Sequence, residues 1–174
     1  TFGVLATGSD TVQSIRPPSS ANSLVGVRAT RGLVSRAGVM PFSTTQDEVG
    51  PIVRTVEDAA RMLDVMAGYD PADPITAFSA GHIPRSYTST LDRNGLKGAR
   101  IGLLTNLLGA DPIHRDVNQV VDAAVAKMTA QGATIVRVSI PKLDDLTRGL
   151  NLMNLEFKAA FDSYLAGLGP ISPV

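Results

Sequence analysis

The chain has 174 residues, with 16 basic and 16 acidic side chains and a formal net charge of zero. Apolar residues make up 44%, enough for a packed core, and the balanced charge gives no sign of a nucleic-acid partner. The absence of cysteine excludes a disulfide framework, a cysteine nucleophile and a thiolate metal site.

Phe2 to Ala6 is a short apolar run leading into Thr7-Gly8-Ser9-Asp10, which predicts a buried strand entering a polar turn. These first residues lack the basic start and long apolar stretch of a signal peptide. No apolar run in the chain approaches the roughly 18 residues needed to span a membrane. The expected location is the cytoplasm. Pro17-Pro18 is expected to block helix, with a single helical turn over 19–24 after it. Residues 25–51 are rich in glycine and β-branched side chains and predict short strands and loops. Within them, Ser43, Thr44 and Thr45 read as a loop of local Ser/Thr turns.

The first clear helix starts at Thr55, where Thr55-Val56-Glu57-Asp58 is a capping-box variant. Val56, Ala59, Ala60, Leu63, Met66 and Ala67 form its apolar stripe, and Gly68 is expected at C′. Residues 69–97 read as a long loop, a class that is often functional or covered by a partner. A strand over 100–105, a helix opened by Asp111-Pro112 and a strand over 134–140 predict a parallel pair in an α/β sheet. The helix carries an apolar face of Ile113, Val117, Val120, Val121, Ala124 and Met128 and ends at Gly132. Leu103-Leu104 and Leu107-Leu108 are expected to pack in a core. A last helix is predicted from about Asp144 to Leu165.

The stretch Gly8-Ser9-Asp10-Thr11-Val12-Gln13-Ser14-Ile15-Arg16-Pro17 carries the chemistry. A strand runs into a tight polar turn that presents Ser14, and consecutive backbone N–H groups in such a turn can converge on an oxyanion. Spacing leaves two readings: a nucleophile, or a serine that hydrogen-bonds locally. These residues, continued by Gly26, Thr30, Gly32, Val34-Ser35-Arg36, Gly38, Pro41, Asp47, Gly50-Pro51, Arg54-Thr55-Val56 and Asp58-Ala59-Ala60, strongly resemble the amidase signature family. The resemblance runs on through Leu63 to Gly68 and Asp70-Pro71, and fits the rest of the chain in layout.

The resemblance implies an α/β fold with a mixed central sheet covered by helices. It divides the chain into a nucleophile-bearing segment (1–70), a long loop (71–98) and a strand-helix-strand-helix segment (99–174). It implies carboxamide hydrolysis or transfer by a Ser–cisSer–Lys triad. Ser14 would be the nucleophile, and the backbone N–H groups of Thr11, Val12 and Gln13 the oxyanion hole. Beside the resemblance, Asp10 and Arg16 flank the turn and either brace it through charge-assisted bonds or are an ordinary turn carboxylate and a solvated arginine; Asp47 falls on a family position near the catalytic centre and is expected as structural support. No metal and no organic cofactor is implied. The partners implied are a small amide substrate and either the remaining part of the fold or a second copy of the chain.

Two departures stand against the family pattern. Val12-Gln13 replaces the usual pair of glycines, and valine at a positive φ would be strained. Gln13 either adds an amide contact or faces away. Lys97, Lys127, Lys142 and Lys158 all follow Ser14, whereas the family's lysine and bridging serine precede it. The chain is therefore expected to be an internal segment of an amidase, inactive alone. The alternatives are a non-catalytic homologue or interaction module, and an amidotransferase A-type subunit. Three further residues have plain readings: Glu156 as a solvated helix residue, and His82 and His114, which lack a second ligand at metal spacing, as surface residues.

Overall fold

The structure is a computed structural model that describes residues 3–171. The chain divides into two compact units, residues 1–90 with 149–174, and residues 91–148.

The first unit is built on an antiparallel sheet of order β1-β3-β2, with β1 Ala6–Asp10, β2 Val25–Gly26 and β3 Glu48–Val53. Here the sequence expectation is corrected. Strand geometry begins at Ala6, and the supposed turn residues Thr7 to Asp10 are strand, paired Gly8 to Gly50, Ser9 to Val49 and Asp10 to Glu48. The backbone ladder overrides the local turn preference of Gly, Ser and Asp. Phe2 lies outside the described residues.

Helix α1 spans Arg16–Ala21 and contains Pro17 and Pro18 within it. The prolines open the helix instead of blocking it, because first-turn residues need no N–H for the ladder. Helix α2, Val56–Met66, is capped as predicted: the Thr55 side chain accepts a hydrogen bond from the Asp58 N–H at 3.0 Å. Ala59, Ala60 and Leu63 are buried, whereas Val56 is exposed. Its end differs from expectation. Ala67 turns extended and bridges to Val34, and the Gly68 N–H donates to the Leu33 carbonyl. Strand-like pairing replaces the left-handed glycine cap. The core gathers Ala29, Val34, Val49 and Leu63, with Val27, Leu33, Val39, Met66 and Tyr87 packed against it.

The long loop holds two short 3-10 helices, Pro74–Ser79 and Thr88–Thr90. The expected last helix is broken in two, α4 Leu143–Thr147 in the second unit and α5 Met153–Gly167 in the first. Gly149, at φ 78°, lies in the break, a conformation glycine adopts without a Cβ clash.

The second unit contains β4 Arg100–Leu104, α3 Arg115–Ala130 and β5 Thr134–Val138, and β4 pairs with β5 in parallel. This is the predicted strand-helix-strand arrangement. A 3-10 turn, Pro112–His114, precedes α3, so Pro112 opens that turn and not the α-helix itself. Leu107, Ile113, Val117 and Val120 are exposed, which corrects the core reading of Leu107. Among the described residues, no helix is long and apolar enough to cross a membrane.

Candidate active site

β1 delivers the chain to Asp10, and α1 begins at Arg16, so residues 11–15 form a turn between strand and helix. Both ends are stapled. Asp10 is fully buried and its Oδ2 accepts the Ile15 N–H at 3.0 Å. Arg16 donates to the Val12 carbonyl from one side-chain nitrogen, and its Nε lies 3.6 Å from Asp10 Oδ2. Burial of Ile15 anchors the exit of the turn, while Val12, Gln13 and Ser14 stay exposed. Neither Val12 nor Gln13 has a positive φ, so the strain expected of a valine there does not arise. A shallow depression of about 510 Å³ beside the turn is lined by Val12, Gln13, Arg16, Pro17 and Ser20.

Asp47 reaches the turn from the residue just before β3. Its Oδ1 accepts the Thr11 hydroxyl at 2.6 Å, and its Oδ2 accepts the N–H groups of Phe42 and Ser43 at 2.7 and 2.9 Å. One carboxylate thus ties the start of the turn to the loop over 42–46.

Several partners lie outside the sequence reading. Arg28 Nε sits 3.4 Å from Asp10 Oδ1, and Arg28 donates to the Gln46 carbonyl at 2.8 Å. Arg36 forms a two-pronged pair with Asp73, with both bonds at 2.9 Å, and also donates to the Thr44 carbonyl at 2.8 Å. That pairing raises the Arg36 pKa and lowers that of Asp73. Glu48, buried beside this cluster, has its pKa raised by burial, against the pull of Arg28, Arg36 and Arg31.

Glu156 is the largest correction. It is half-buried at the first turn of α5, and its carboxylate accepts from the Ser43 hydroxyl, the Thr44 hydroxyl, and both the hydroxyl and the N–H of Thr45. Those bonds, Ser43 first, hold its pKa down at about 2. The local Ser/Thr turns expected over 43–45 are present only in part. The Gln46 N–H does donate to Ser43 Oγ at 3.0 Å, but the hydroxyls themselves point to Glu156. Three consecutive hydroxyl residues needing acceptors are the signal available in the sequence. His82 and His114 are exposed, and among the described residues no cluster of three His, Asp or Glu side chains is placed to hold a metal ion.

A family profile described as Amidase matches residues 1–171. A probable amidase of Arabidopsis thaliana is 36% identical over 168 residues, covering 92% of this chain and 31% of that protein. The A-type subunit of glutamyl-tRNA(Gln) amidotransferase from Pediococcus pentosaceus is 42% identical over 139 residues, covering 80% and 28%. Among solved structures, the native peptide amidase of Stenotrophomonas maltophilia superimposes with a TM-score of 0.81 at 37% identity, covering 95% of this chain and 34% of that one. The chain spans about a third of the length of the curated relatives it matches.

Proposed function

The chain belongs to the amidase signature family, and from that footing we propose that it is part of a serine amidohydrolase that cleaves a carboxamide C–N bond through an acyl-enzyme on Ser14. The observation that carries the reading is the doubly stapled turn, which presents Ser14 at the surface directly after three backbone N–H groups. Ser14 Oγ attacks the carbonyl carbon while its proton passes to a base. The N–H groups of Thr11, Val12 and Gln13 donate to the oxygen as it gains charge. Collapse of the tetrahedral intermediate breaks the C–N bond, and the leaving nitrogen takes up the proton. Water then hydrolyses the ester and restores Ser14.

In the family pattern the base is a lysine acting through a bridging serine, both upstream of the nucleophile. The reaction is therefore proposed for the longer parent protein, and the isolated 174-residue chain is expected to be inactive. The parent acts in the cytoplasm on a small amide. In it, the apolar surfaces exposed on this chain meet the rest of the fold; in the isolated chain they meet a second copy.

The test uses the complete parent protein. A fluorophosphonate is expected to label Ser14, and Ser14→Ala is expected to abolish labelling and lower amide turnover by at least about 10³-fold. Full turnover in Ser14→Ala would sink the proposal. Ammonia release from a simple amide without any partner protein separates a hydrolase from an amidotransferase component.

A further inference from the structure

We propose that Glu156 is a positioning residue for the nucleophile turn, acting through Ser43 and Asp47 on Thr11; this rests on the amidohydrolase reading with Ser14 as nucleophile.

Ser43 is the pivot. It is fully buried, and each of its polar groups is committed. Its hydroxyl donates to Glu156, its N–H donates to Asp47 Oδ2, and its carbonyl accepts the Asp47 N–H at 3.1 Å. Asp47 then accepts the Thr11 hydroxyl at 2.6 Å. The relay from α5 to the oxyanion turn is therefore Glu156, Ser43, Asp47, Thr11, with a direct hydrogen bond at every step.

The remaining supports of the loop grip other groups. Arg28, Arg31 and Arg36 donate to the carbonyls of Gln46 and Thr44. None of them holds the Ser43 or Thr45 hydroxyl or the Thr45 N–H, and those groups all go to Glu156. The helix is itself fixed to the loop from its other side. The Leu152 N–H donates to Gln46 Oε1 at 2.7 Å, Gln46 Nε2 donates to the Leu150 carbonyl at 2.9 Å, and Phe157 stacks on Phe42 with ring centroids 4.8 Å apart. Without Glu156, Ser43 keeps its backbone bonds to Asp47 and the Gln46 N–H bond to its Oγ, but its hydroxyl loses its acceptor and with it the tie to α5. The carboxylate that sets Thr11 then stands on a looser base. A displacement of the oxyanion donors acts on the transition state more than on ground-state binding.

The experiment measures phosphonylation of Ser14 by a fluorophosphonate, with loss of fluoride, in the complete parent protein, as maximal rate and half-saturating concentration. Glu156→Ala is expected to lower the maximal rate about 10- to 100-fold, with half-saturation moved less than about twofold. Glu156→Gln, which keeps one acceptor oxygen, is expected to recover part of the rate. The double variant Glu156→Ala with Thr11→Val is expected to be no slower than the slower single one, because both act through one relay. Multiplying effects, or a change in half-saturation alone, would overturn the proposal. So would wild-type rates in folded Glu156→Ala and Ser43→Ala. If Glu156→Ala does not fold, Ser43→Ala carries the same comparison. If wild-type protein takes no label at Ser14, the amidohydrolase reading itself fails, an outcome separable from normal labelling that ignores Glu156.

Discussion

Asp10 sits fully buried at the end of β1, between the Ile15 N–H and the side chains of Arg16 and Arg28, so a single carboxylate fixes both the geometry and the charge of the turn. Glu156 does comparable work from a half-buried site, with four donors and a pKa of about 2 against the usual 4.5. The sign for stability follows. A depressed carboxyl pKa contributes stability that is present above the unfolded value and lost as pH falls through the folded one. The difference in melting temperature between the wild-type parent protein and Glu156→Gln is therefore expected to shrink between pH 4.5 and pH 2. Thermal melts across that window check it, and a constant difference would contradict it. The comparison must be made against the variant, because Asp64, Asp70 and Asp73 are also lowered and Glu48 is raised. Glu48 has the opposite sign: its contribution is present at low pH and lost as pH rises through its folded value.

Among the elements, local preference and long-range pairing compete, and pairing wins where a ladder is available. Thr7 to Asp10 carry turn-forming residues yet lie in β1 because β3 supplies partners along the whole strand. Gly50 in β3 shows how closely the strands are set. A Cβ there would lie 1.9 Å from the Val27 carbonyl oxygen, while Val27 donates its own N–H to the Pro51 carbonyl at 3.0 Å. Gly50→Ala is expected to cost about 3 kcal/mol, read from the urea midpoint of the parent protein. Gly68→Ala, where an added Cβ meets nothing within 4 Å, is expected to stay within about 0.5 kcal/mol. Equal midpoints for the two variants would refute the close approach. The α2 cap and the β4–α3–β5 unit are legible in sequence because each is set by residues close together along the chain. The division into α4 and α5 is not, since nothing in the helical periodicity marks Gly149 as left-handed.

On the scale of the whole molecule, the chain leaves apolar side chains facing outward. Ile113 is 83% exposed and Val120 70%, both on the predicted apolar face around α3. Apolar surface of this kind marks interaction sites or aggregation liabilities. The isolated 174-residue chain is expected to bind a hydrophobic dye and to sediment above 18.2 kDa, and Ile113→Lys with Val120→Lys is expected to reduce both. A monomer without dye binding would remove this expectation. The family, a turn that presents Ser14 and the capped helix after Thr55 are legible along the chain because motifs and caps are written in consecutive residues, whereas the bounds of that turn, after β1 and before α1, are set by strand pairing and the first helical turn. Which distant groups hold that turn is set by the fold. Asp47 meets Thr11 across 36 residues and Glu156 meets Ser43 across 113, and hydrogen bonds between residues so far apart leave no periodic trace along the chain.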